Sequence, residues 1–112
     1  MVENPSEPGL SELSAAVQRA CKPTYAPYIL EGRKRVAEMP RESVLQNIEP
    51  VGRSALNFAD KEWGAWEYGR FLELLREVAA SELLARLVRE GLESSNPDIR
   101  ELAELWAGTV GP

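Results

Sequence analysis

Asn96-Pro97-Asp98-Ile99-Arg100-Glu101-Leu102-Ala103 decides how the rest of the chain is read. Ser94-Ser95-Asn96-Pro97 forms a turn that puts a proline at the first helical position, where its missing N–H costs nothing. Ile99, Leu102, Ala103 and Trp106 then share one helical face, and Gly108 is the expected end. An earlier stretch follows the same plan. Glu67-Tyr68 falls over Asp98-Ile99, Phe71 over Leu102, Leu72 over Ala103, Glu73 over Glu104, Leu74 over Leu105 and Leu75 over Trp106, at an offset of 31 residues. Repeats of about 20–50 residues mark stacked helical units, each burying its apolar face against a neighbour. The echo therefore points to helical stacking, and to a function of binding rather than chemistry.

Working outward, the same periodicity covers the rest. Leu10, Leu13, Val17, Ala20 and Cys21 predict a first helix with Ser11 as its cap and Pro23 as its stop. Tyr25, Tyr28, Ile29, Gly32, Val36 and Met39 predict a second, with Pro27 in its first turn and Met39 at its end. Pro40 starts a third through Val44, Leu45 and Ile48; Pro50 and Gly52 interrupt it before Val51, Ala55 and Leu56 resume, so a kinked or split helix is expected. Asp60 is the expected cap of the longest element, Lys61 to about Ala79, with Gly64, Tyr68, Phe71, Leu72, Leu75 and Val78 inward. Ser81 caps a fifth helix carrying Leu83, Leu84, Leu87, Val88 and Leu92, with Gly91 near its end. No segment alternates with period two. The expectation is a single all-α domain of five or six helices over residues 10–112, its C-terminal part built of antiparallel helix pairs.

Composition removes most chemistry. The chain of 112 residues has no histidine, hence no neutral-pH imidazole base, no His zinc ligand and no Ser-His or Cys-His pair. Cys21 is the single cysteine, so neither an intrachain disulfide nor a cysteine cage is available, which suits a reducing cytoplasm. Gly64 and Gly69 lie inside an expected helix and no GxxxxGK occurs, so no phosphate loop forms. The reading is of a non-enzyme without cofactor or metal. Residues 1–9, MVENPSEPG, are polar with no basic n-region, so a flexible tail is expected rather than a signal peptide. No apolar run approaches the roughly 20 residues of a membrane helix.

Charge is unevenly placed. Residues 1–59 hold seven acids and seven bases, whereas residues 60–112 hold eleven acids and six bases. The whole excess of −5 is therefore C-terminal. Such a surface repels nucleic-acid phosphate and favours a partner with a basic surface.

The stretch from Asn96 to Ala103 resembles the helix opening of HEAT repeats, in which a turn with Asp and Pro precedes a β-branched residue, an Arg and an aliphatic-alanine pair. With Trp66-Glu67-Tyr68 and Ser81 to Leu92 the resemblance covers about the last fifty residues. The order WEY, FLELL, GLESSNPDIRE is also similar to small bacterial helical-repeat immunity proteins. That resemblance implies an intracellular inhibitor that occludes a toxin domain, and carries over no individual contact residue.

Two sets of residues stand out as candidate partner contacts. On a helical wheel Trp66 lies with Arg70, Glu73 and Glu77, almost opposite Tyr68, Phe71 and Leu75. Either it is buried under the first three helices together with Trp63 and Leu74, or it is an exposed anchor stacked on Arg70, both residue types that dominate binding hot spots. The second set is acidic: Asp98, Glu101 and Leu105 along the outer side of the last helix, with Glu104 adjacent and Glu90 and Glu93 on the helix before. Asp98 also suits the helix dipole. Arg33-Lys34-Arg35 is read as a solvated face, with Glu31–Arg35, Glu82–Arg86 and Arg89–Glu93 as local ion pairs. With the resemblance, which is what implies an immunity-type inhibitor, these are its expected partner-binding residues; the alternative is a structural adaptor subunit of a larger assembly.

Overall fold

The computed structural model describes residues 8–22, 26–56 and 64–110, and among them every regular element is a helix. These are α1 (Pro8–Cys21), α2 (Ala26–Glu38), α3 (Arg41–Ala55), α4 (Ala65–Glu77), α5 (Ser81–Leu92) and α6 (Pro97–Val110). The all-α expectation with six helices holds. The segment 1–7, Pro23, Tyr25, Trp63 and the Asp60 cap with its Lys61 helix start lie outside the described residues.

Boundaries moved where local chemistry outweighed the sequence signal. α1 begins at Pro8, ahead of the Ser11 cap. α3 is one helix: Pro50 sits inside it without splitting it, because its ring points to solvent and the Gln46 carbonyl that loses its partner lies on an exposed residue. Gly52 follows on the buried side, against the Phe71 ring, and the Leu56 N–H bonds back to the Gly52 carbonyl at 3.0 Å. α4 starts at Ala65, with Gly64 exposed ahead of it rather than inward. It closes with the Ala80 N–H on the Leu75 carbonyl (2.9 Å) and the Ala79 N–H on the Arg76 carbonyl (3.1 Å), the paired bonds of a Schellman motif. Ala79 occupies its left-handed position at φ 60°. Ser81 is the first residue of α5, not its cap; Ala80 holds the cap position, without a side-chain bond. α6 runs past Gly108 to Val110. Its start is fixed by Asn96, whose Oδ1 accepts from the N–H of Asp98 at 2.9 Å and of Ile99 at 3.4 Å.

α4 is the central helix. Phe71, Leu72, Leu74 and Leu75 are all fully buried on it, so it is covered on more than one side. Val17 and Cys21 of α1, Val36 of α2, Ile48 of α3, Leu87 of α5 and Ala103 of α6 complete one continuous core. Each buried valine, leucine, isoleucine or phenylalanine of this set contributes roughly 1.5–3 kcal/mol by leaving water. Tyr28, expected inward, is 49% exposed and lies under the Arg19 guanidinium, because Ile29, Gly32 and Val36 set the inner face of α2 and leave Tyr28 at its edge. Gly32 brings α2 onto α1: a β-carbon there would stand 2.6 Å from the Ala16 carbonyl oxygen and 2.7 Å from the Ala20 nitrogen.

α4 and α6 lie side by side and run the same way. Gly69 faces Leu102, and farther along Arg76 covers the Trp106 ring at 4.9 Å. Those pairs are 33 and 30 residues apart, on either side of the 31-residue echo in the sequence.

Candidate functional site

Trp66, the second residue of α4, is 43% exposed, and the Arg70 guanidinium lies 4.4 Å over its ring. Stacking leaves the guanidinium edge free for charge pairing. Arg70 bonds Glu73 at 2.9 Å, Glu73 meets Arg33 of α2 at 3.4 Å, and Arg33 bonds Glu77 at 2.8 Å. The basic run on α2 is thus split by function: Arg33 ties α2 to α4, while Lys34 and Arg35 point outward. Glu31 pairs with Arg19 of α1 instead of with Arg35.

A second chain of ions joins α3 to α5. Arg86 grips Glu49 through both terminal nitrogens, at 2.9 and 3.1 Å; Arg53 bonds Glu49 at 3.2 Å and Glu90 at 2.9 Å. The hydrogen bond from Arg86, supported by Arg53, holds the Glu49 carboxyl below its ordinary range against the opposing effect of burial. Arg86, expected to pair along its own helix with Glu82, crosses to α3. Glu90 is therefore drawn into the scaffold, and with Glu93, Ser94 and Ile99 it borders an open groove of ≈560 Å³ in which Arg53 offsets the acids.

The α6 carboxylates are arranged differently. Asp98, Glu101 and Glu104 are exposed, and none has an ion-pair partner among the described residues. One turn beyond Glu101 on the same outer side stands Leu105, 68% exposed, although its counterpart in the echo, Leu74, is fully buried. Nothing among the described helices covers α6 on that side. Where Gly69 meets Leu102, the next turn back on each helix carries Trp66 and Asp98, so the aromatic anchor and the acidic ridge sit on neighbouring helices. Trp66 and Arg70 stand on α4, Asp98, Glu101 and Glu104 on the neighbouring α6, and Glu93 is exposed at the end of α5, while Glu90 belongs to the α3–α5 ion chain.

Leu105 as an exposed apolar centre is the residue that wheel geometry hinted at and the echo concealed. Glu49 and Arg53 had the i,i+4 spacing of a local pair, but their links to α5 left no local signal, since the partners are 37 residues away in the Arg86–Glu49 and Arg53–Glu90 bonds. Among the described residues there is no group of three or more Cys, Asp or Glu able to hold a metal ion, and no helix long and apolar enough to cross a membrane. Cys21 is buried, and loss of hydration pushes its thiol up to about 12.

Comparison with family models, curated proteins and solved structures found no match.

Proposed function

We propose that this chain binds another protein through the outer side of α6, with the Trp66–Arg70 stack beside it, as an immunity-type inhibitor that covers a basic cleft on a toxin or effector. One observation carries the reading: Leu105, 68% exposed, shares the outer side of α6 with three carboxylates that make no ion pair among the described residues, whereas Glu73, Glu77, Glu49 and Glu90 are drawn into interhelical ion chains. An apolar centre rimmed by uncompensated charge suits a partner that presents cations around an apolar seat, because the charges steer the encounter and the leucine lowers the off-rate. The parallel stacking of α4 and α6 supports reading them as two HEAT-like units, and the buried free thiol of Cys21 suits a reducing cytoplasm.

The test is a photo-crosslinker at position 105 in the source cells, followed by coexpression of the captured protein in a host. The reading requires that the captured protein arrest growth, that the wild-type chain restore it, and that Asp98→Asn/Glu101→Gln/Glu104→Gln fail to do so. A captured partner that leaves growth unaffected moves the chain to the adaptor reading, which the open edge of the α4–α6 stack supports. Protection by the triple variant equal to wild type removes the acidic ridge from the account.

A further inference from the structure

A guanidinium on a partly exposed ring gains little by itself, and an arginine side chain has many other rotamers open to it. The stack of Arg70 on Trp66 therefore needs a further hold. Two acids lie one turn from Arg70 along α4. Glu67 is folded back against Gly64, whereas Glu73 takes the Arg70 Nη1 on its Oε1 at 2.9 Å. Glu73 is in turn held from outside its own helix: the same oxygen accepts from Nη1 of Arg33 on α2 at 3.4 Å, and the Arg33 Nε donates to Glu77 at 2.8 Å. Of these four charged side chains Arg33 is the least exposed, at 24%. Its backbone follows directly on Gly32, where α2 packs against Ala16 and Ala20 of α1. The core thus fixes where Arg33 starts, and the contacts run outward from that fixed point through Glu73 and Arg70 to Trp66.

We propose that Arg33 is a positioning residue for the exposed indole: by fixing Glu73 it keeps the Arg70 guanidinium over Trp66, so that the ring is ordered before any partner arrives. Arg33 and Arg70 converge on one carboxylate oxygen, so each is drawn to Glu73 while the two repel each other. Glu73 is therefore the joint through which α2 acts on the ring. The gain is one of pre-organisation, since a side chain already ordered has less freedom to lose when it is covered. Without the Arg33 link, binding through Trp66 is expected to weaken roughly two- to tenfold, the range for ordering one such side chain. The inference rests on the reading of the Trp66–Arg70 stack as part of the partner contact, and adds the residue on another helix that prepares it.

Fluorine NMR of the full chain labelled with 5-fluorotryptophan tests it without a partner. The three tryptophans give three resonances, each assigned by its loss in the matching Trp→Phe variant. Arg33→Gln and Glu73→Gln are each expected to move the Trp66 resonance toward its place in Arg70→Ala, with a larger shift between light and heavy water as the ring opens to solvent. Added to Arg70→Ala, either change is expected to do nothing more, because the link it cuts no longer reaches the ring. Trp106, stacked under Arg76 outside this set of contacts, is expected to stay in place and reports any general loosening. A Trp66 resonance unmoved by both changes, one moved as far in the Arg70→Ala background as in wild type, or a Trp106 resonance that moves with it overturns the positioning. If Arg33→Gln loses its helical circular dichroism, Glu73→Gln decides alone, since it keeps the Arg33–Glu77 tie between α2 and α4 and cuts only the link to Arg70. Affinity for the protein captured at position 105 then separates the two readings. Trp66→Ala without effect takes Trp66 out of the partner contact and fails the reading beneath; Trp66→Ala that weakens binding while Arg33→Gln does not overturns the pre-organisation.

Discussion

The Tyr68 hydroxyl donates to the Leu87 carbonyl oxygen at 2.9 Å, in a space that exists because residue 91 is glycine. A β-carbon at Gly91 would run into that hydroxyl and come 2.8 Å from the Ala103 β-carbon, so one position sets how closely α4, α5 and α6 converge. Tyr68→Phe is expected to cost about 1 kcal/mol for the lost bond. Gly91→Ala is expected to cost about 1–3 kcal/mol by overpacking. The two changes are coupled, because removing the hydroxyl relieves the clash: in urea unfolding the double variant should be less destabilised than the sum of the singles.

Ala79 holds the left-handed position that ends α4, at φ 60°, where a side chain costs about 1–2 kcal/mol and glycine costs none. Ala79→Gly is expected to raise stability by about 0.5–1 kcal/mol after the greater chain entropy of unfolded glycine is subtracted. Ala79→Val, with a β-branched side chain in the same place, should lower it. The midpoints of thermal unfolding should therefore fall in the order Gly, Ala, Val.

Glu49 predicts a defined acid response. Its folded carboxyl is held below the ordinary 4.5 by Arg86 and Arg53, so its stabilising contribution is complete above the unfolded value and is lost as pH falls through the folded one. Glu49→Gln should then lose on the order of 1 kcal/mol relative to wild type at neutral pH, with the difference closing as pH drops below about 4.5 and shrinking in high salt. A gap between the two unfolding curves that persists at pH 2 would assign the effect to packing.

Cys21 should be silent in the native protein. With its thiol at about 12, burial leaves little thiolate at pH 8, and reaction with a disulfide reagent should run roughly a thousandfold or more below a free cysteine. In urea the thiol should react at the unconstrained rate. Fast labelling without denaturant would show that α1 opens locally.

Trp66 should give a red-shifted emission component open to acrylamide, and Trp66→Phe should abolish that component at a stability cost below about 1 kcal/mol, as befits a residue 43% exposed. Arg70→Ala should increase the quenching by removing the stacked guanidinium.

Much of this fold is written in short-range patterns. The spacing of Tyr68, Phe71, Leu72, Leu75 and Val78 identified the buried face of α4, and Leu83, Leu84, Leu87 and Val88 that of α5. What failed were choices between local options. Ser81 is a good cap by type, yet the Schellman turn fixes the chain one residue earlier and makes it helical. Pro50 is a good breaker by type, yet on the solvent side of α3 its lost bond is left to water. The interaction surface was half legible: the wheel put Asp98, Glu101 and Leu105 on one outer side, but whether Trp66 was covered depended on helices far away in sequence. The ion chains that neutralise Glu90 and not Glu101 hold local steps, Glu49–Arg53 and Arg70–Glu73, but their links between helices join residues tens of positions apart, which no period or motif encodes.

The meeting of Gly32 with Ala16 and Ala20 bears on how this chain can change over evolutionary time. Most of its helical surface tolerates substitution, and much of its core tolerates exchange of one aliphatic for another. These three positions have no such latitude, since backbone stands where a side chain would go and Ala16 and Ala20 are each only 1% exposed. A descendant whose overall resemblance had worn away would still keep small residues there, so that triplet is the mark by which distant kin would be recognised.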